Sequence, residues 1–265
     1  MPTVSARLRA VEETRTPLVT ERSRVCESFM REVEAGTLEA DLPTTVVLKD
    51  RLAKNARHFI KTFPTGTQHM YATKANPLPE VMRGLFDAGI THFDVASGEE
   101  IESTRKLLGS KAVLYYMNPR KSDTDLDVAF DNDVKGFVAD SRKSLEKILS
   151  HPEFDPAYHA VVIRIALPKS EGASVDLSGK FGADQELAAM LLQRCAIARV
   201  ADIGMSFHVG SQNIEPKDYA TAIKLAGACA IRRLNSGKVN AVEGGASGIG
   251  SFIRPARSLS PVFSR

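Results

Sequence analysis

A lysine at the end of a short strand-like run is the residue of this chain that most directly suggests chemistry. The run 71–74 ends in Lys74, and the next three residues, Ala-Asn-Pro at 75–77, are of the kind that turns a chain. A strand followed by a turn can present a lysine amine at the mouth of an α/β barrel, where active sites gather. A partly desolvated amine there is a nucleophile towards a carbonyl carbon. The alternative is a solvated lysine at the start of a helix.

Further polar residues stand at the ends of other apolar runs. Asp94 lies in Phe-Asp-Val-Ala-Ser at 93–97, and Arg164 lies between two isoleucines. His208 and Ser211 belong to His-Val-Gly-Ser-Gln at 208–212. If Arg164 is buried it needs an anionic partner, and His208 taken alone is also typical of a satisfied core histidine. In this order, and at the spacing of barrel strands, the residues indicate one site.

Ser97 and Glu100 have two compatible interpretations. The pattern Ser-x-x-Glu is a capping box, in which both side chains start a helix, here at 98–108. The second interpretation, that Glu100 lines the same site as Asp94 six residues before it, is implied by the family resemblance of these motifs.

These motifs resemble those of the ornithine/diaminopimelate decarboxylases, pyridoxal 5'-phosphate (PLP) enzymes built on a barrel like that of alanine racemase. The resemblance covers residues 44 to 245. It implies that Lys74 forms the covalent link to PLP, that His208 stacks on the pyridine ring and that Ser211 binds the phosphate. Lys74 and His208 are the catalytic residues that it implies. The implied cofactor-binding residues are Lys74, Asp94, Glu100, Arg164, His208, Ser211, Gly244 and Gly245.

The chain departs from this family near its C-terminus. The family has Gly-Gly-Gly-Phe where this chain reads Gly-Gly-Ala-Ser at 244–247. Loss of one base from the family codons can give that change, so we hypothesise an out-of-frame tail, which sequencing of the gene would test. The resemblance then implies that the eighth strand, with its Glu-Pro-Gly-Arg motif, and the C-terminal β domain are absent. A missing eighth strand would leave two open sheet edges.

Composition restricts the class of protein. The 265 residues are 43% hydrophobic and 25% charged, which is ordinary for one soluble globular domain. A formal charge of +3, with acidic and basic residues interspersed, indicates no nucleic-acid surface. The three cysteines lack metal-ligand spacing and favour a reducing compartment. The same spacing predicts no bound metal. No apolar run is long enough for a membrane span, so we expect a cytoplasmic protein.

Apolar strands alternate with amphipathic helices along most of the chain, which predicts a parallel α/β sheet. Recurrence at this pitch, together with the resemblance, indicates a (β/α)8 barrel that is incomplete at its eighth strand. We predict a peripheral segment at 1–43 with a helix near 20–35, a barrel domain at 44–245 and an atypical tail at 246–265. A further strand is expected at 44–48. Seven barrel strands are expected, at 69–74, 91–95, 112–116, 135–139, 160–165, 203–208 and 239–243.

The resemblance implies decarboxylation of a basic amino acid, with L-ornithine giving putrescine as the preferred reaction and a homodimer as the expected assembly. Phe-Asp-Val-Ala-Ser at 93–97 favours the ornithine branch, while lysine and diaminopimelate stay open as substrates. The truncated chain could lack activity. Two alternatives are a PLP carrier without turnover and a catalytically dead homologue that binds a regulator of the true enzyme.

Overall fold

The structure is a computed structural model that describes residues 17–38, 45–168, 181–211, 213–234, 241–246 and 249–253. The chain divides into two compact units, Met1–Leu48 and Lys49–Arg265. The first unit contains helix α1, Pro17–Glu34, where the sequence predicted a helix. The limits proposed above for the peripheral segment, the barrel domain and the tail stay predictions.

The strand predicted over 44–48 is wrong for the part that is described. Residues 45–48 lie outside helices and strands. A β-rich run becomes a strand only where a neighbouring strand supplies ladder hydrogen bonds, and each described strand of the barrel already has a neighbour on both sides.

The second unit alternates strands and helices. Its strands are β1 Thr67–Ala72, β2 His92–Val95, β3 Val113–Tyr116, β4 Val134–Ala139, β5 Ala160–Arg164, β6 Asp202–His208, β7 Ala241–Ala246 and β8 Ile249–Ile253. Its helices are α2 Lys49–Thr62, α3 Pro79–Asp87, α4 Gly98–Leu108, α5 Asp123–Asp131, α6 Arg142–Leu149, α7 Gln185–Ile197 and α8 Pro216–Leu234. Short 3-10 turns occur at Thr73–Ala75 and Gly109–Lys111.

Serine and aspartate side chains mark where several of these helices begin. Ser97, Ser122, Ser141 and Asp184 each accept a hydrogen bond from a backbone amide in the first turn of α4, α5, α6 and α7, respectively. Such caps satisfy amide groups that have no partner inside the helix. At α4 the capping serine agrees with the helix predicted over 98–108.

The strands close into a barrel in chain order. β1 to β7 are parallel, so their C-terminal ends share one rim, and β8 pairs antiparallel with both β7 and β1. The expected open edges are therefore wrong. Only two residues separate β7 from β8, and so short a link joins strands only in the antiparallel sense, since a parallel crossover needs a dozen residues or more. The parallel eighth strand of a (β/α)8 barrel is not found among the described residues.

Apolar side chains fill the barrel interior. Met70, Tyr115, Val138, Ala160 and Val162 form one buried cluster, contributed by β1, β3, β4 and β5. Gly136 has to be small, because a Cβ there would lie 2.4 Å from the ring of Tyr115. Strands buried on both faces read as continuous apolar runs, which is why the sequence predicted them well. No helix in the described ranges is long and apolar enough to cross a membrane.

Candidate active site

Lys74 stands on the rim formed by the C-terminal ends of the parallel strands. It lies in the 3-10 turn that follows β1 directly, and its side chain is exposed. Asn76 ends the turn with an extended backbone, as expected for a residue before proline. The side-chain oxygen of Asn76 accepts a 3.1 Å hydrogen bond from the amide of Leu78. Because α3 begins only at Pro79, Lys74 is not the first residue of an α-helix.

Glu100 ties this turn to the start of α4. One oxygen of its carboxylate accepts a hydrogen bond from the amide of Ala96 at 2.9 Å and another from the hydroxyl of Thr73. Ser97 caps α4 by accepting the Glu100 amide at 3.2 Å. The Glu100 carboxylate therefore binds the amide of the residue before the helix cap and the hydroxyl of the residue next to Lys74. Thr73 was missed by the sequence reasoning, although a hydroxyl directly before the lysine was a visible signal.

Asp94 is the next-to-last residue of β2 and lies opposite Ala72 of β1, one strand away from the lysine turn. Burial raises the pKa of its carboxyl to about 7. The positive charges of Lys74 and Arg164 act in the other direction on this pKa, and the charge of Glu100 raises it further. Lys74, Asp94, Glu100 and Arg164 are thus electrostatically coupled, as expected of a charged site at a barrel mouth.

His208 ends β6 as a neutral imidazole. Burial, followed by the positive charges of Arg164 and Lys74, lowers its pKa to about 4. The amide of Gly210 donates a 2.9 Å hydrogen bond to Nδ1, so the neutral ring carries its hydrogen on Nε2. Gly210 has a φ of 98°, a left-handed conformation that suits glycine. His208 is therefore a half-buried histidine at the rim, where the charges of Arg164 and Lys74 act on it.

Arg164 ends β5, next to Ser206 of β6 in the sheet register. Its guanidinium carbon lies 5.1 Å from the centroid of the Phe181 ring. The amide of Gly182 donates a 3.2 Å hydrogen bond to the carboxylate of Asp140, the residue after β4. The sequence reasoning missed Asp140, although an acidic residue directly after the apolar run 135–139 was a usable signal.

The residues proposed for the phosphate are placed less completely. Ser211 is half-buried, three residues beyond the end of β6. Gly244 and Gly245 lie inside β7, where they pair with Phe207 and His208 of β6 and with Ser251 and Gly250 of β8. The predicted seventh strand ended at residue 243, before these glycines, and the strand in the structure includes them. Their role in phosphate binding stays a prediction.

The donor set on the rim fits PLP at the end that carries its aldehyde and ring. The exposed amine of Lys74 can reach an aldehyde, and the flat neutral imidazole of His208 can lie against an aromatic ring. The carboxyl of Asp94, with a pKa near 7, can hold or release a proton at neutral pH.

Comparison with known proteins gives one family for most of the chain. Residues 49–239 match the family described as pyridoxal-dependent decarboxylase, pyridoxal binding domain. A lysine/ornithine decarboxylase of Selenomonas ruminantium is 34% identical over 200 residues, which cover 74% of this chain and 49% of that protein. An ornithine decarboxylase of Rattus norvegicus is 34% identical over 177 residues, 66% of this chain and 36% of the relative.

Not every relative is named as an enzyme. Antizyme inhibitor 2 of Xenopus laevis is 32% identical over 214 residues, covering 74% of this chain and 45% of that protein. The chain spans about half the length of these curated relatives, or less.

Solved structures show the same fold. A lysine/ornithine decarboxylase of Vibrio vulnificus complexed with putrescine superposes with a TM-score of 0.66 at 24% identity, covering 80% of this chain and 55% of that one. SrLDC in complex with PLP and cadaverine gives a TM-score of 0.63 at 30% identity, covering 80% of this chain and 52% of that one.

Proposed function

The chain belongs to the pyridoxal-dependent decarboxylases, and from this premise we propose that its barrel holds PLP through Lys74 for the decarboxylation of a basic amino acid. The observation that carries the proposal is the position of Lys74. Its exposed amine stands on the rim of the parallel strands, and its charge acts on both Asp94 and His208. A lysine on an open surface would not lie within electrostatic range of both a half-buried carboxyl and a neutral imidazole on the same rim.

PLP, when bound, supplies the electron sink for the loss of carbon dioxide. The chain supplies placement and protons. Lys74 offers the amine that holds the aldehyde, and Glu100 with Thr73 fixes the turn that carries it. Asp94, with a pKa near 7, can keep or release a proton beside that amine. Neutral His208 presents a flat ring and directs an N–H at Nε2 away from Gly210.

For the substrate we infer L-ornithine, with putrescine as the product. Relatives named ornithine decarboxylase or lysine/ornithine decarboxylase support this inference, as does the ornithine-type sequence at 93–97. Solved structures of relatives in complex with cadaverine and with agmatine keep lysine and arginine open as substrates, and diaminopimelate stays open from the family resemblance. A homodimer and a cytoplasmic location are part of the same proposal.

Binding of PLP by matched lysine variants tests the proposal. Lys74 and Lys111 are both exposed and both lie in 3-10 turns, but Lys111 precedes β3 and so stands at the opposite end of the barrel. We expect the unmodified chain and Lys111→Ala to develop a visible absorbance band on titration with PLP, and Lys74→Ala to develop none while keeping its circular dichroism. A band in folded Lys74→Ala would show that another group holds the cofactor.

Release of carbon dioxide from L-ornithine, L-lysine, L-arginine and diaminopimelate then tests the substrate. We expect ornithine to react fastest. Faster reaction of another amino acid would replace the ornithine inference and leave the decarboxylase proposal in place.

The similarity to antizyme inhibitor 2 supports a second candidate, a non-catalytic homologue that binds a regulator. Neither that candidate nor a PLP carrier requires turnover. A chain that binds PLP through Lys74 but releases no carbon dioxide from any of the four amino acids would favour the carrier. A folded chain that binds no PLP would favour the regulator-binding homologue.

A further inference from the structure

The chain returns to the end of β5 at residues 181–183. The amide of Ala183 donates a 2.8 Å hydrogen bond to the carbonyl of Arg164, and the amide of Ala166 donates another, also 2.8 Å, to the carbonyl of Ala183. These two bonds make a parallel bridge between Ile165 and Ala183. The backbone that carries Arg164 is therefore held from both sides, by β6 and by this returning segment.

Gly182 can occupy its position only because it lacks a side chain. Its φ of 100° lies in the left-handed region, and a Cβ there would stand 2.4 Å from the amide nitrogen of Ala166 and 2.5 Å from the carbonyl carbon of Ile165. Both are backbone atoms that cannot rotate away. The Gly182 amide also donates to Asp140 at the end of β4. This close approach brings the preceding residue, Phe181, to the rim.

The ring of Phe181 lies against the guanidinium of Arg164, with the guanidinium carbon 5.1 Å from the ring centroid. A guanidinium over an aromatic face at this distance is attracted to it. Because the backbone at residues 182–183 is bridged to β5, the ring is anchored to the strand that carries the arginine. The charge of Arg164 in turn acts on Asp94 and His208.

We propose that Phe181 and Gly182 are positioning residues, which hold the Arg164 guanidinium where its charge acts on the groups around Lys74. Phe181 supplies the aromatic face, and Gly182 permits the backbone approach that places it. This inference rests on the proposed function only in that Arg164 belongs to the cofactor site. The contact itself can be tested on the chain without PLP or substrate.

The test is an NMR titration of the His208 imidazole in the full chain without cofactor. Arg164→Gln sets the scale, because removing the positive charge should raise the His208 pKa from about 4 towards its ordinary value. If Phe181 holds Arg164 near His208, Phe181→Leu should reproduce at least half of that rise. Phe181→Tyr keeps the ring and should leave the pKa unchanged.

Phe154→Leu is the matched control. Phe154 is another half-buried phenylalanine, and it stacks on His159 with ring centroids 5.5 Å apart, in the segment that precedes β5. Its replacement should leave the His208 pKa unchanged. A Phe181→Leu variant with an unchanged His208 pKa would overturn the proposal, and so would an Arg164→Gln variant that leaves it unchanged.

A measurement on the unmodified chain covers the case in which the Phe181 variants do not fold. The contact predicts nuclear Overhauser effects between the Phe181 ring protons and the Arg164 side chain, with upfield ring-current shifts of the arginine Hδ protons. Absence of both in the assigned spectrum would overturn the proposal. Failure of PLP binding with this contact intact would instead count against the proposed function.

Discussion

The two ends of the barrel treat their polar side chains differently. At the N-terminal ends of the strands, a cavity of about 380 Å³ is lined by residues that include Gln68, His92, Asp133, Lys135 and Tyr158. The hydroxyl of Tyr158 donates to Asp133 at 2.6 Å, and Lys135 donates to the Tyr158 carbonyl with its ammonium 3.8 Å from the ring centroid. The charged and polar groups of these three residues therefore bind one another within one cluster.

At the C-terminal ends, burial and neighbouring charges shift the pKa values of two groups. Burial raises the pKa of Asp94 to about 7 and lowers that of His208 to about 4, and the charge of the exposed Lys74 acts on both groups. For Tyr158 at the other end the main cause is different, because the hydrogen bond to Asp133 raises its pKa to about 12. At the N-terminal rim, Asp133, Lys135 and Tyr158 bind one another. At the C-terminal rim, Asp94 and His208 have shifted pKa values of the kind found at sites of proton transfer.

Alanine at two left-handed glycines gives the largest expected contrast in stability. Gly182→Ala adds a Cβ against backbone at the C-terminal rim, and Gly66→Ala meets nothing within 4 Å just before β1. We expect Gly182→Ala to lower the free energy of unfolding by about 3–5 kcal/mol, from overpacking and backbone strain together. Gly66→Ala should cost about 1–2 kcal/mol from strain alone. Urea denaturation measures both, and equal losses would contradict the close approach at Gly182.

The pH dependence of stability separates the two shifted groups of the C-terminal rim. Between about pH 4 and 6.5 the unfolded chain protonates His208 while the folded chain does not, so this group makes stability rise with pH. Between about pH 4 and 7 the folded chain keeps the proton of Asp94 that the unfolded chain releases, so this group makes stability fall with pH. The two contributions oppose each other in the unmodified chain.

Single substitutions should expose each contribution. We expect the free energy of unfolding of Asp94→Asn, relative to the unmodified chain, to rise from pH 4 to 7 by roughly 1–3 kcal/mol after solvent screening. That of His208→Gln should fall over pH 4 to 6.5 by a similar amount. Denaturation curves at several pH values give these differences. Asp133→Asn at the opposite rim is the control, and identical pH profiles for all three variants would contradict the shifts.

Loss of one hydroxyl at each rim should give a smaller contrast. Thr73→Val removes the donor that Glu100 accepts beside Lys74, in a part-buried pair, and we expect a loss of about 1–2 kcal/mol in stability. Tyr158→Phe removes the donor to Asp133 on the surface, where water replaces it, and should cost about 0.5 kcal/mol or less. Thermal unfolding compares the two. A larger loss for Tyr158→Phe would reverse the contrast between the ends.

No effect on PLP affinity is expected from Lys135→Met at the N-terminal rim. The exposed contact of Lys135 with Tyr158 should contribute roughly 0.5–1 kcal/mol to stability at most. Titration with PLP should give the same affinity as the unmodified chain. A weakened affinity would mean that the two rims are coupled.

The parts of this fold that sequence could predict are those with a local cause. Buried strands such as β5 read as apolar runs, and Ser97, Ser122 and Ser141 mark helix starts. The strand-end positions of Lys74, Asp94 and His208 followed from the same alternation. What escaped prediction depends on partners far along the chain. The antiparallel pairing of β8 with β1, the Thr73–Glu100 bond and the contact of Phe181 with Arg164 have no periodic signature.

Chemical trapping of the cofactor tests the central claim most directly. The unmodified chain is mixed with PLP, reduced with borohydride, digested with trypsin and mapped by mass spectrometry. We predict the added mass on a peptide that contains an uncleaved Lys74, and none at Lys111 on the opposite rim. Trapping at Lys111 or at another lysine in place of Lys74, or no trapping in a folded chain, would contradict the assignment of the C-terminal rim as the cofactor site.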